Sequence, residues 1–200
     1  MILAMSAITA YYYPLLPERM PVHWNFAGQV DGYGPRWHVW VIGPVMMGGF
    51  LLLGLVLPWL SPKKFELEAS GATYGYMISV PVAVMACVEL FALSNALGYK
   101  LDMSRAPMLL VFAVLILLGN PMGKVRRNFF MGIRTPWTLA SERVWNATHR
   151  LAGKLMVASG LLGMLALWLG APHWALLVLT IAWAPLVAGY SLLLYKRLPQ

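Results

Sequence analysis

Residues 151–194 read LAGKLMVASGLLGMLALWLGAPHWALLVLTIAWAPLVAGYSLLL, and Lys154 is the one Asp, Glu, Lys or Arg among them. Gly170, Pro172 and His173 divide the stretch into two apolar runs, 151–169 and 174–194. Each is close to the roughly 20 residues that a helix needs to cross a hydrocarbon core about 30 Å thick. Water cannot satisfy backbone groups inside such a core, so a run of this kind is read as a transmembrane helix.

Working outward, the same pattern recurs towards the N-terminus. Apolar runs cover Val39–Leu60, Tyr74–Leu97 and Ala106–Leu118 with its flanks, and a shorter one covers Met1–Leu16. We expect an all-α, polytopic transmembrane bundle of about six helices. Met1–Leu16 spans only about 24 Å as a helix, so we expect either that its true start lies upstream or that neighbouring helices and local thinning absorb the mismatch. We read it as a retained first helix, because it lacks the basic start of a cleaved signal peptide. By chain order the protein divides into an N-terminal membrane hairpin, 1–60, with a polar loop at 17–38; a central transmembrane pair, 61–119; and a part, 120–200, made of a polar loop at 120–150 and the two C-terminal spans.

Composition agrees. Hydrophobic residues make up 60% of the chain and charged residues 11%, against about 45–50% and about 25% in globular domains. The net charge of +8 sits between the apolar runs, so we read it as topological and headgroup charge and expect no nucleic-acid partner. A lone cysteine, Cys87, excludes an intramolecular disulfide and a thiol-based metal site.

The positive-inside rule orients the bundle. With the N-terminus in the cytoplasm, Lys63, Lys64, Lys124, Arg126, Arg127, Arg134, Arg143, Arg150, Lys154, Lys196 and Arg197 lie inside, and Arg19, Arg36, Lys100 and Arg105 outside, eleven against four. Both ends are therefore expected in the cytoplasm, with the 17–38 loop external and the 120–150 loop internal.

Three places carry polar residues that ask for a reason. The internal loop offers two helix starts: Thr135 as N-cap before Pro136, and Ser141 before Glu142. A helix from Ser141 would run into the fifth span and set Arg143, Asn146, Arg150 and Lys154 on one basic stripe. Such juxtamembrane stripes usually meet anionic headgroups, and a partner protein or anionic ligand is the other reading. The external loop, 17–38, holds His23, Trp24, Asn25, Asp31 and His38, with Val22, Trp24 and Phe26 in an alternating, extended pattern. His23 and Asp31 are weak metal candidates, since His and Asp are ordinary zinc ligands; hydrogen bonding within a folded loop is the blander reading. Glu89 lies inside the third span. An intramembrane carboxyl is a functional candidate by default, and its bland reading is a neutral acid joining two helices, with Tyr11–Tyr13 or Thr180 as partners. Gly48-Gly49 and Gly160-x-x-Gly163 are expected to permit close helix packing. No G-x-S-x-G, Walker A or H-E-x-x-H pattern occurs, so no catalytic residue and no cofactor is assigned.

Two of these stretches resemble a known family. The external PVHWNFAGQVD, with Pro21, His23, Trp24, Asn25, Gly28 and Asp31, is similar to the N-terminal domain of unknown function of SdpI-type proteins. The internal NPMGKVRRNFFMGIRTPWTLASERVWNATHRLAGKL resembles the SdpI signature through Asn128, Gly132, Ile133, Arg134, Thr135, Pro136, Trp137, Thr138, Leu139, Trp145, Thr148, His149, Gly153 and Lys154. The resemblance implies a multi-pass protein of the bacterial inner (cytoplasmic) membrane. It further implies immunity to a secreted toxic peptide, and relay of its detection to a transcriptional repressor held at the membrane. On that reading His23, Trp24, Asn25 and Asp31 meet the toxin. Asn128, Arg134, Thr135, Pro136, Trp137, Trp145, His149, Arg150 and Lys154 form the internal partner site. A small transporter or channel using Glu89 is the alternative. A membrane-embedded enzyme acting on lipid or peptide, through His23 and Asp31 or His149 and Arg150, is a second.

Overall fold

The computed structural model describes residues 1–25, 28–62, 71–99 and 101–198. In chain order these form α1 (Ile2–Tyr12), β1 (Arg19–Trp24), β2 (Val30–Pro35), α2 (His38–Trp40), α3 (Met46–Val56), α4 (Gly71–Ala96), α5 (Ala106–Met122), α6 (Pro136–Ala140), α7 (Glu142–Trp168), α8 (His173–Ile181) and α9 (Trp183–Arg197). Every apolar run is helical. Four stretches are long and apolar enough to cross a membrane: His38–Val56, Gly71–Ala96, Glu142–Trp168 and His173–Arg197; Ile2–Leu15 and Ala106–Met122 are shorter apolar helices. Leu161, Leu165, Trp168, Leu186 and Leu193 are exposed, as helices do when hydrocarbon is their solvent. The expected charged turn at Lys63–Ala69, together with Phe26 and Lys100, lies outside the described residues.

Packing separates two compact units: Met1–Leu53 with Ile78–Leu110, and Gly54–Met77 with Val111–Gln200. In the first, Met5, Met47 and Val82 form one buried cluster and Leu16, Met20, Val39, Ala92 and Leu93 another. β1 and β2 pair as an antiparallel hairpin running from Arg19 opposite Pro35 to Trp24 opposite Val30. This hairpin adds a strand pair to an otherwise helical bundle, and it realises the extended pattern read at Val22 and Trp24. Between α2 and α3 the helix widens into a π-turn, Val41–Val45, around Pro44. Proline has no N–H for the regular ladder, and single π-turns absorb such interruptions.

In the second unit α7 packs on α5 along a seam of glycines. A Cβ on Gly160 would stand 2.7 Å from the Phe112 carbonyl oxygen, one on Gly163 2.1 Å from the Phe112 ring, and one on Gly153 2.6 Å from the Gly119 oxygen. Gly160-x-x-Gly163 therefore serves close packing. Gly48 and Gly49 do not: a Cβ on either would meet nothing within 4 Å. Tyr74 adds a hydroxyl bond to the Gly54 oxygen at 2.5 Å.

Candidate functional site

The loop between α5 and α7 is built from polar residues that satisfy one another. Asn128, almost fully buried, accepts from the Phe130 and Met131 amides at 2.8 and 2.6 Å and donates to the Arg126 and Met131 oxygens at 2.9 and 3.2 Å. One amide side chain thus closes a turn that the backbone leaves open. Arg134 donates to the Phe129 oxygen at 2.9 Å and Arg127 to the Leu139 oxygen at 3.2 Å.

α6 starts as its sequence demands. Thr135 accepts from the Thr138 amide at 3.2 Å, Thr138 Oγ1 accepts from the Thr135 amide at 2.8 Å, and Pro136 opens the helix. This is a reciprocal cap in which threonine stands where Glu or Gln is usual. Thr138 also donates to the Ile133 oxygen at 2.8 Å. Ser141 caps α7, with its Oγ 3.4 Å from the Val144 amide, so the helix expected from Ser141 into the fifth span forms.

His149 locks the loop to α7. Its Nε2 accepts from the Ile133 amide at 2.9 Å and its Nδ1 lies 2.8 Å from the Trp145 carbonyl oxygen. A backbone amide can only donate and a carbonyl only accept, so the ring is neutral with its proton on Nδ1. The ring stacks on Trp145, 4.0 Å between centroids, and Trp145 is buried and donates to the Val125 oxygen at 2.8 Å. Gly132 makes the approach possible: its φ is +95°, and a Cβ there would lie 2.2 Å from His149 Nε2. Trp137 reaches away from this lock and donates to Ser191 Oγ on α9 at 2.5 Å.

The structure therefore divides the residues of this loop and of the start of α7. Asn128, Thr135, Trp145 and His149 hold the loop from within. Arg134, Pro136, Arg150 and Lys154 are exposed, and Trp137 is half-buried. Arg150 and Lys154 stand together on α7 and line a groove of about 500 Å³ with Gly119, Asn120, Val157 and Leu161. His149, Arg134 and Trp137 line neither this groove nor the smaller one beside Tyr190. Sequence reasoning missed Ser191 and the backbone acceptors. Ser191 had a signal, as an isolated hydroxyl inside an apolar run; the Val125 and Ile133 backbone groups had none.

In the hairpin, Asn25 Oδ1 accepts from the Gln29 amide at 3.0 Å, the Gly28 amide donates to the Asn25 oxygen at 2.9 Å, and Gly28 has φ +75°. A Cβ on Gly28 would meet the Ser104 nitrogen at 2.6 Å, so glycine is needed for both conformation and space. His23 Nδ1 and Asp31 Oδ1 lie 2.5 Å apart at the surface. His38 belongs elsewhere, against Trp37 and Gly34. Among the described residues no three His, Cys, Asp or Glu side chains are grouped to hold a metal. Trp24 is half-buried and packs against the Leu16–Met20–Val39 cluster.

Glu89 is fully buried in α4. Its partner is the Thr9 hydroxyl on α1, not the Tyr11–Tyr13 hydroxyls or Thr180, whose own hydroxyl donates to the Leu176 oxygen at 2.9 Å. The carboxyl lies on Gly43 in the π-turn, where a Cβ would stand 1.8 Å from Oε2. Tyr11 is exposed and cannot reach inward.

A polytopic helical membrane protein, carrying a hairpin in one unit and a self-bonded polar loop in the other, is what the fold and these sites define. The SdpI/YfhL family model matches residues 124–191, the loop with α7 and most of the last span, and a domain of unknown function, DUF1648, matches residues 1–48, α1 with the hairpin. A curated relative, "Immunity protein SdpI" of Bacillus subtilis (strain 168), is 30% identical over 156 residues, 78% of this chain and 72% of the relative. The chain belongs to the SdpI/YfhL protein family. No solved structure matches it.

Proposed function

We propose that this protein gives its cell immunity to a secreted toxic peptide from within the bacterial inner membrane, as a binding protein without turnover. The observation that carries the reading is the 30% identity to a protein named for immunity, spread over 78% of this chain. Both polar sites lie inside the matched family regions. The six-span, N-in and C-in arrangement puts the hairpin 19–35 outside, where His23, Trp24, Asn25 and Asp31 meet the toxin. The loop carrying Arg134, Pro136 and Trp137 then faces the cytoplasm, where it holds a repressor partner. The internal hydrogen bonding of that loop supports a rigid recognition surface, because fixed groups bind with less ordering cost.

The test is survival. Expressed in a bacterium sensitive to the cognate peptide, the protein is expected to restore growth under challenge, and unchanged killing would overturn the reading. His23→Ala with Asp31→Ala should abolish protection while leaving the protein in the membrane. Arg134→Ala with Trp137→Ala should leave protection intact and abolish only the transcriptional response.

A further inference from the structure

We propose that Arg150 and Lys154 form a binding site for an anionic phospholipid. The phosphate would sit between the two cations, and an acyl chain along Val157, Ala158 and Leu161. Lys154 lies four residues after Arg150, Val157 and Ala158 three and four after Lys154, and Leu161 four and three after those, so they share one face of α7. Both cations are exposed, and among the described residues neither makes an ion pair.

The groove they head is about 500 Å³, floored by Val157, Ala158 and Leu161 and walled by Gly119, Asn120, Gly123 and Gly153. Gly123 stands close against this end of α7: a Cβ on it would lie 3.3 Å from the Arg150 stem. A second groove of about 260 Å³ runs on the other side of the same two cations, beside Tyr190. The pair is thus open to a phosphate from both sides.

The spacing decides between a lipid and an acidic protein segment. From Lys154 to Leu161 the helix rises about 10 Å, about two-thirds of one leaflet of a hydrocarbon core about 30 Å thick. Positive charge at one end and apolar surface for most of one leaflet match a phospholipid in outline. An acidic peptide would satisfy the cations and leave the floor uncovered. Each basic residue near an anionic bilayer surface is worth roughly five-fold in association, so the pair is worth roughly thirty-fold.

The full chain is reconstituted in phosphatidylcholine nanodiscs carrying a small amount of spin-labelled phosphatidylglycerol or, separately, spin-labelled phosphatidylcholine. The motionally restricted fraction is read by electron paramagnetic resonance. Phosphatidylglycerol is expected to be favoured by roughly ten-fold or more, and Arg150→Gln with Lys154→Gln should abolish the preference. Lys196→Gln with Arg197→Gln, which removes the same charge from the end of α9, should leave it. Equal preference in the two double variants overturns the site. Ala158→Trp fills an exposed part of the floor and should weaken the preference several-fold while helicity is unchanged. If Ala158→Trp has no effect and inorganic phosphate displaces the label, the site takes a free phosphate and the lipid proposal fails. Absent preference for phosphatidylglycerol, with binding of poly-glutamate through the same two cations, would fail it in favour of an acidic protein.

Discussion

His149 shows how much of a family signature can be spent on holding a loop. Both ring nitrogens are engaged, by the Ile133 amide and the Trp145 oxygen, so the side chain has nothing left to offer a ligand. His149→Ala should cost about 3 kcal/mol, from a stranded buried amide and an unfilled cavity, read as a lowered melting temperature in detergent. Gly132→Ala should produce a similar loss although it adds a single methyl, because its φ of +95° and the ring 2.2 Å away both oppose a Cβ. Nitrogen NMR of labelled histidine should find the proton on Nδ1, and a proton on Nε2 would contradict the lock. Glu89 poses the opposite question. If it joins α1 to α4 through Thr9, Glu89→Gln keeps a hydrogen-bonding group in place and should leave stability within about 1 kcal/mol, whereas Glu89→Ala should cost about 2 kcal/mol. A Glu89→Gln variant that folds normally and loses protection would instead make the carboxyl functional.

At the scale of elements, α5 and α7 are joined where side chains are absent. Gly163→Leu drives a side chain into the Phe112 ring and should destabilise the protein by about 3 kcal/mol, while Gly48→Ala, which meets nothing within 4 Å, should be neutral or slightly stabilising. Thermal unfolding of both variants in one detergent tests the contrast. The start of α5 has a pH-dependent cap. Asp102 Oδ1 accepts from the Ser104 hydroxyl at 2.5 Å and from the Ser104 and Arg105 amides at 3.1 and 3.3 Å. The Ser104 hydroxyl, with help from the two amides and the Arg105 charge, holds the carboxyl below the usual carboxylate range. The cap is therefore complete above the ordinary aspartate pKa and is lost as pH falls through the lower folded value. Exchange at the Ser104 and Arg105 amides should accelerate on acidification, and Asp102→Asn should remove that acid dependence.

For the whole molecule, exposed apolar side chains along α3, α7, α8 and α9 require a non-aqueous solvent. Removing detergent should precipitate the chain. Cysteine introduced at Arg134 and at His23, in a Cys87→Ser background, should react with an impermeant thiol reagent from opposite sides of the membrane. Labelling of both from one side would reverse the proposed sidedness and leave the helical fold untouched.

Helix positions were written in the chain because they depend on local chemistry: apolar runs long enough for hydrocarbon, prolines that end them, and Thr135-Pro136 and Ser141-Glu142 as starts. The hairpin was legible in part, from alternation at Val22 and Trp24. Contacts between distant residues were not. Glu89 meets Thr9 and not a tyrosine, Trp137 meets Ser191, and Gly160 meets Phe112 while Gly48 meets nothing, since each depends on which helix faces which. Hydropathy identifies the solvent of a helix; only the packed fold decides which polar atom lies opposite another, and so turns His149 into a bolt and leaves Arg150, its neighbour in sequence, free at the surface.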